Sequence, residues 1–144
     1  MLVVAPLSVI PSWINSLEKF ADYDYELINL TQIKNEERME LLQKPHKIPL
    51  RICLINYEST WRFYPGLAYW DPDMIICDES QKIKKYKSKQ SQAMHKLGEN
   101  ASYKLILTGT PVTQSPLDFW SQYRFLHPAT YGYNYFSFRN KRSE

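Results

Sequence analysis

Glycine is scarce in this chain: only Gly66, Gly98, Gly109 and Gly132 occur among 144 residues. None precedes a Lys-Ser/Thr pair, so neither Gly-x-x-x-x-Gly-Lys-Ser/Thr nor Gly-x-Gly-Lys-Thr is present, and a phosphate-cradling loop of that type is excluded from these residues. Cysteine is scarcer still. Cys53 and Cys77 each lie inside an apolar run, which reads as buried free thiols in a reducing compartment rather than a disulfide framework. No apolar run approaches the roughly 18 residues of a membrane helix. The opening Leu2-Val3-Val4-Ala5 is stopped by Pro6, too soon for a secretory signal core. A soluble, intracellular protein is therefore expected, with no membrane partner. A strong charge of one sign is also missing, since the formal net charge of +3 is too small by itself to demand a nucleic-acid partner. There is no internal repeat and no low-complexity tract.

What remains is a folded composition. A hydrophobic content of 44% with 23% charged residues separates the chain from disordered sequences, and its length suits one domain rather than two. Short apolar runs at residues 2–5, 26–30, 51–56, 74–77 and 103–108 predict strands. Helices are predicted between them. Trp13, Leu17 and Phe20 recur at helical spacing, residues 35–43 carry Met39 and Leu42 among charges, and residues 88–97 show a weaker pattern. The clearest start signal is Ser115 as a cap with Pro116 at the first helical position and Asp118 in the first turn, followed by the stripe Leu117, Trp120, Tyr123 and Leu126. Strands and helices that alternate in this way imply an α/β domain with a mostly parallel sheet covered on both faces. Residues 129–144 form an aromatic and then basic tail with no assigned element.

The most informative residues close the fourth apolar run: Asp78-Glu79-Ser80-Gln81 follows Met74-Ile75-Ile76-Cys77. Carboxylates at the carboxyl end of a buried strand stand where ligands bind in open α/β sheets. Asp78 suits a Mg2+ ligand bridging terminal phosphates, and Glu79 suits the base that orients and deprotonates a water. The alternative is two ordinary loop carboxylates. The next apolar run ends in Thr108-Gly109-Thr110-Pro111, whose hydroxyls can meet those carboxylates while Gly109 permits a sharp turn. An ordinary strand-ending turn is the competing reading. Lys82, Lys84, Lys85, Lys87 and Lys89 crowd directly after the acidic pair, either as a solvated surface or as phosphate contacts.

Taken together, Val3-Val4-Ala5-Pro6-Leu7-Ser8, Ile55-Asn56-Tyr57-Glu58, Asp78-Glu79-Ser80-Gln81-Lys82-Ile83-Lys84 and Leu107-Thr108-Gly109-Thr110-Pro111-Val112-Thr113-Gln114 resemble the first lobe of the Swi/Snf-type helicase-like ATPases of helicase superfamily two. The run ending Phe125-Leu126-His127-Pro128 extends the resemblance, which covers residues 2 to about 128. It implies a RecA-like P-loop NTPase lobe over residues 1–128, incomplete as it stands, with ATP and Mg2+ bound in a cleft against a second RecA-like lobe of the same parent chain. Asp78 becomes the metal ligand and Glu79 the general base. Gln81 stands where most members have histidine and couples to Thr108 and Thr110, which with Gly109 line the nucleotide site. Pro6, Ser8, the segment starting at Trp13, Asn56 and Tyr57 match stretches lying against a nucleic-acid backbone, with Tyr57 alternatively a core residue. Lys84 and Lys85 are added from the basic run.

The implied activity is ATP-driven movement along double-stranded DNA, in the cytoplasm or, in a eukaryote, the nucleus. In the family the phosphate-cradling loop precedes the Val-Val-Ala-Pro segment and the second lobe, with its arginine finger, follows. A fragment inactive on its own is thus expected, and the strand at 103–108 is expected to be an exposed apolar edge. The reading of a different class is a non-catalytic DNA- or protein-interaction module that keeps the fold. Retention of both Asp78 and Glu79 opposes it.

Overall fold

The computed structural model describes residues 1–109, 115–130, 132 and 134–143. Five strands form, β1 (Leu2–Val4), β2 (Glu26–Asn29), β3 (Arg51–Ile55), β4 (Met74–Asp78) and β5 (Tyr103–Leu107), each within about a residue of the apolar run that predicts it. They pair in parallel in the order β2-β3-β1-β4-β5. Leu2 is level with both Cys53 and Ile75, and Asp78 with Leu107, so the strands' carboxyl ends share one edge of the domain.

The order decides which face each helix covers. From β1 the chain runs toward one end of the sheet to reach β2; every later crossover runs back the other way. Parallel crossovers are right-handed, so α1 (Ile10–Phe20), which joins β1 to β2, covers one face. The opposite face takes α2 (Asn35–Gln43), the pair α3 (Tyr57–Arg62) and α4 (Tyr64–Trp70), and α5 (Lys89–Asn100). The period-2 alternation of strands sorts the side chains accordingly. Val3, Ala5, Ile52, Leu54 and Ile76 pack with Ile10 and Leu17 of α1. Leu2, Val4, Cys53, Ile55, Ile75 and Cys77 pack with Leu42, Phe63, Leu67, Met94 and Leu97.

One helix cannot cover a whole sheet face. Cover is accordingly incomplete at β5, the expected exposed apolar edge: Tyr103, Leu105 and Leu107 stay exposed while Ile106 packs into the larger core. Phe20 differs from expectation: it is 72% exposed, so the buried stripe of α1 is made by Ile10 and Leu17 with Trp13 half-buried beside them. The pair α3 and α4 forms where no helix is predicted. Both are short, Phe63 joins them, and left-handed Asp71 ends the second (φ 54°). Helix α6 (Leu117–Leu126) starts one residue later than expected. The Ser115 hydroxyl still caps it, accepting from the Leu117 N–H at 3.2 Å. The unassigned tail contains α7 (Tyr135–Ser143), docked through Tyr135, whose ring stacks on Tyr86 at 4.0 Å.

Two buried arginines are tied to backbone. Arg51 donates to the Leu41 and Leu42 carbonyls at the end of α2, and Arg38 donates to the Leu30 carbonyl. Cys53 and Cys77 are free and buried. Burial pushes the Cys53 thiol up to about 12 and Cys77 up as well, which leaves both as inert packing groups. No helix among the described residues is long and apolar enough to cross a membrane.

Helices α5 and α6 approach closely because Gly98 has no side chain. A Cβ there would lie 2.8 Å from the Phe125 ring and 3.1 Å from the Phe125 carbonyl oxygen. Gly98→Ala should destabilise the fold by about 1–3 kcal/mol through overpacking that outweighs the helix propensity of alanine, measured by denaturant unfolding. The same helix pair holds His95, whose Nε2 lies 2.8 Å from the Ser121 carbonyl oxygen. Burial holds the imidazole below its usual range; Arg124 adds to this, whereas the Ser121 carbonyl and Glu99 oppose it. The unfolded chain thus binds this proton more tightly than the folded one. The contribution to stability is complete above about pH 6.5 and is lost as pH falls below it. Thermal melts should show that decline, and His95→Gln should flatten it.

Candidate functional site

Because α1 leaves β1 toward one face and α5 leaves β4 toward the other, a crevice opens at the carboxyl ends of these adjacent strands. Ligands bind at such switch points in open α/β sheets. Asp78, the last residue of β4, lies there half-buried. Its Oδ1 accepts the Glu79 backbone N–H and its Oδ2 accepts the indole Nε1–H of Trp13, both at 2.8 Å. From the other side the Tyr57 hydroxyl donates to the Asp78 carbonyl at 2.6 Å.

Glu79 turns the chain. It adopts the left-handed conformation (φ 53°, ψ 54°), which costs a non-glycine residue about 1–2 kcal/mol. Ordinary strand geometry would carry the next side chain to the opposite face of the sheet. Instead the backbone enters a 3-10 turn (Ser80–Ile83), with Lys82 N–H bonded to the Glu79 carbonyl at 3.0 Å. Fully buried Ser80 anchors that turn by donating to Gln122 Oε1 of α6 at 2.6 Å.

The turn brings three of the expected groups together. Thr108 Oγ1 donates to Gln81 Oε1 at 3.0 Å, and Gln81 Nε2 donates to Glu79 Oε2 at 2.5 Å. Only this orientation of the amide matches a donor to an acceptor at both ends. A Cβ at Gly109 would stand 3.8 Å from Glu79 Oε1, so this residue borders the same carboxylate. Thr110 lies outside the described residues.

The segment after β1 shares this edge. Pro6 is half-buried and Ser8 exposed, and Pro6 accepts the Val9 N–H in a turn that leads into α1. Asn56 is buried, with Oδ1 lacking a partner among the described residues. Tyr57 requires correction as a nucleic-acid contact: it is 4% exposed and its hydroxyl is spent on Asp78, so the core reading is the one the structure bears. Burial, first, and then the neighbouring Cys77 drive that phenol far up from its usual range. Lys84 and Lys85 are exposed. Lys87 and Lys89, also exposed, lean on aromatic rings, at 5.7 Å from Tyr86 and 4.4 Å from Trp61.

Sequence reasoning did not assign three groups to this site: the Trp13 indole, the Tyr57 hydroxyl as a support for Asp78, and Gln122. Their partners are 65, 21 and 42 residues away, and no local pattern announces such contacts.

An open parallel sheet with an acidic turn at its switch point has the architecture of a RecA-like lobe. Comparison with known proteins places it more closely. Residues 1–144 match the SNF2-related domain, and the chain belongs to that family. It is 27% identical over 137 residues to the mouse (Mus musculus) DNA repair and recombination protein RAD54-like, covering 91% of this chain and 18% of that protein. It is 31% identical over 135 residues to the human (Homo sapiens) lymphoid-specific helicase, covering 88% of this chain and 15% of the relative. A solved Sulfolobus solfataricus SWI2/SNF2 ATPase core in complex with dsDNA superposes with a TM-score of 0.75 at 27% identity, covering 98% of this chain and 27% of that one. The chain thus spans less than a fifth of the length of these curated relatives.

Proposed function

We propose that this lobe serves a DNA-dependent ATPase that couples ATP hydrolysis to movement along double-stranded DNA. The observation that carries the reading is the hydrogen-bonded run from Thr108 through Gln81 to Glu79, set beside Asp78 in the switch-point crevice. Glu79 is the general base, holding the attacking water and taking its proton. Gln81 fixes the Glu79 carboxylate and reports to it whether Thr108 has shifted toward a γ-phosphate, with Gly109 beside it. As an amide, Gln81 does not itself titrate.

The donor set at Asp78 fits Mg2+. Each of its oxygens accepts one protein N–H and retains a lone pair, and no cluster of three metal-binding side chains exists among the described residues. Mg2+ takes one or two carboxylates together with phosphates and water rather than an all-protein cage. When bound, it would neutralise charge on the terminal phosphates. The phosphate-cradling loop and the arginine that complete this chemistry belong, on this reading, to other parts of the gene product, including a second RecA-like lobe.

DNA enters the proposal through residues 6–8, Asn56 and the basic turn. Ser8 offers a hydroxyl to a phosphate, while Lys84 and Lys85 add a sequence-independent attraction. A cytoplasmic or, in a eukaryote, nuclear setting goes with this role.

In the full-length gene product, Glu79→Gln should leave ATP binding intact and lower DNA-stimulated hydrolysis by about 10²–10⁴; turnover that survives the change removes Glu79 from the base role. Lys84→Ala with Lys85→Ala should flatten the dependence of DNA affinity on salt by about one to two charges. Affinities measured from low to moderate salt check this, and an unchanged slope returns both lysines to the solvated surface.

A further inference from the structure

We propose that Trp13 is a positioning residue for the nucleotide site: its indole N–H holds Asp78 in the orientation that receives the metal. The inference rests on the reading of Asp78 given above and adds a residue from α1.

The geometry is specific. Trp13 lies in the first turns of α1, on the face of the sheet that carries only this helix, and its ring packs half-buried against the smaller core. From there Nε1 reaches across the crevice to Asp78 Oδ2 at 2.8 Å, 65 residues away in sequence. The other oxygen, Oδ1, is held by the Glu79 N–H at 2.8 Å. One donor per oxygen, arriving from different elements, leaves the carboxylate no freedom to rotate.

Tryptophan suits the task by its chemistry. Its nitrogen donates and never accepts, carries no charge and does not titrate. It can therefore orient Asp78 without neutralising it, as an arginine or lysine would, and without occupying the second lone pair of the oxygen. Tyr57 completes the support by fixing the Asp78 carbonyl. Groups that orient a metal-binding carboxylate without touching the metal typically contribute 10–100-fold to metal affinity.

The test uses Trp13→Phe in the full-length gene product, which keeps an aromatic ring, a smaller one, in the core and removes the donor. Binding of a fluorescent ATP analogue is titrated with Mg2+. The concentration giving half-maximal binding should rise about tenfold, and saturating Mg2+ should restore DNA-stimulated turnover close to wild type. An unchanged Mg2+ requirement overturns the inference, and so does a loss of turnover that added Mg2+ fails to rescue, because that is the mark of a packing defect. Wild-type protein that binds no Mg2+-nucleotide overturns the proposed function as well, which separates the two failures.

If Trp13→Phe does not fold, the wild-type protein answers alone. The indole ¹H–¹⁵N resonance of Trp13 should move when Mg2+ joins the nucleotide-bound protein; a resonance that stays in place overturns the assignment.

Discussion

The right-handedness of connections between parallel strands is the constraint on which this structure depends. Once β1 sits inside the sheet with β3 and β4 on either side, the step from β1 to β2 runs against every later step. Handedness then sends α1 to one face and α2 through α5 to the other. Two consequences follow together. The cores are unequal, with a single helix over one face, and a crevice opens where helices diverge from neighbouring strands. The incomplete cover of β5 and the placement of Asp78 are products of the same topology.

Within that crevice the chain spends stability on geometry. Asp78 ends a strand whose preceding residues are fully or nearly buried, and a carboxylate there is tolerable because two N–H groups satisfy it. Glu79 is held in a left-handed conformation that glycine would adopt freely. Strain of this kind persists only where surrounding contacts over-determine it. The contacts are visible: Ser80 is pinned to Gln122, and Gln81 is suspended between Thr108 and Glu79. Helix α6, remote in sequence, is thereby part of the scaffold that aims the acidic turn.

The basic turn that follows has a different character. Tyr86 stacks on Tyr135 and meets Trp120 edge-on at 5.8 Å, so the aromatic tail docks on the segment that carries the lysines. Two of those lysines rest against rings, while Lys84 and Lys85 project into solvent. A run of like charge in sequence thus divides into packing cations and free ones. The division depends on which aromatic side chains arrive from elsewhere.

Local chemistry made all five strands readable as short apolar runs bounded by breakers, most nearly continuous in β1, β3 and β4, which are buried on both faces. It also marked Asp78, Glu79, Thr108 and Gly109 as exceptional, since polar residues at the mouths of such strands run against the cost of burial, and it marked Gln81 by its place in the motif. Helices α3 and α4 escaped notice because stretches so short carry too few turns to establish a period, and Phe20 misled because helical spacing says nothing about where a neighbouring surface ends. By itself, then, the sequence determined the parallel α/β architecture and the acidic and hydroxyl-bearing turns at its strand ends. Only the tertiary structure decided that Trp13 would grip Asp78 and that Tyr57 would lie inside rather than against a ligand. Those outcomes depend on chain segments far apart in sequence meeting at fixed distances, and the handedness of the crossovers sets those distances.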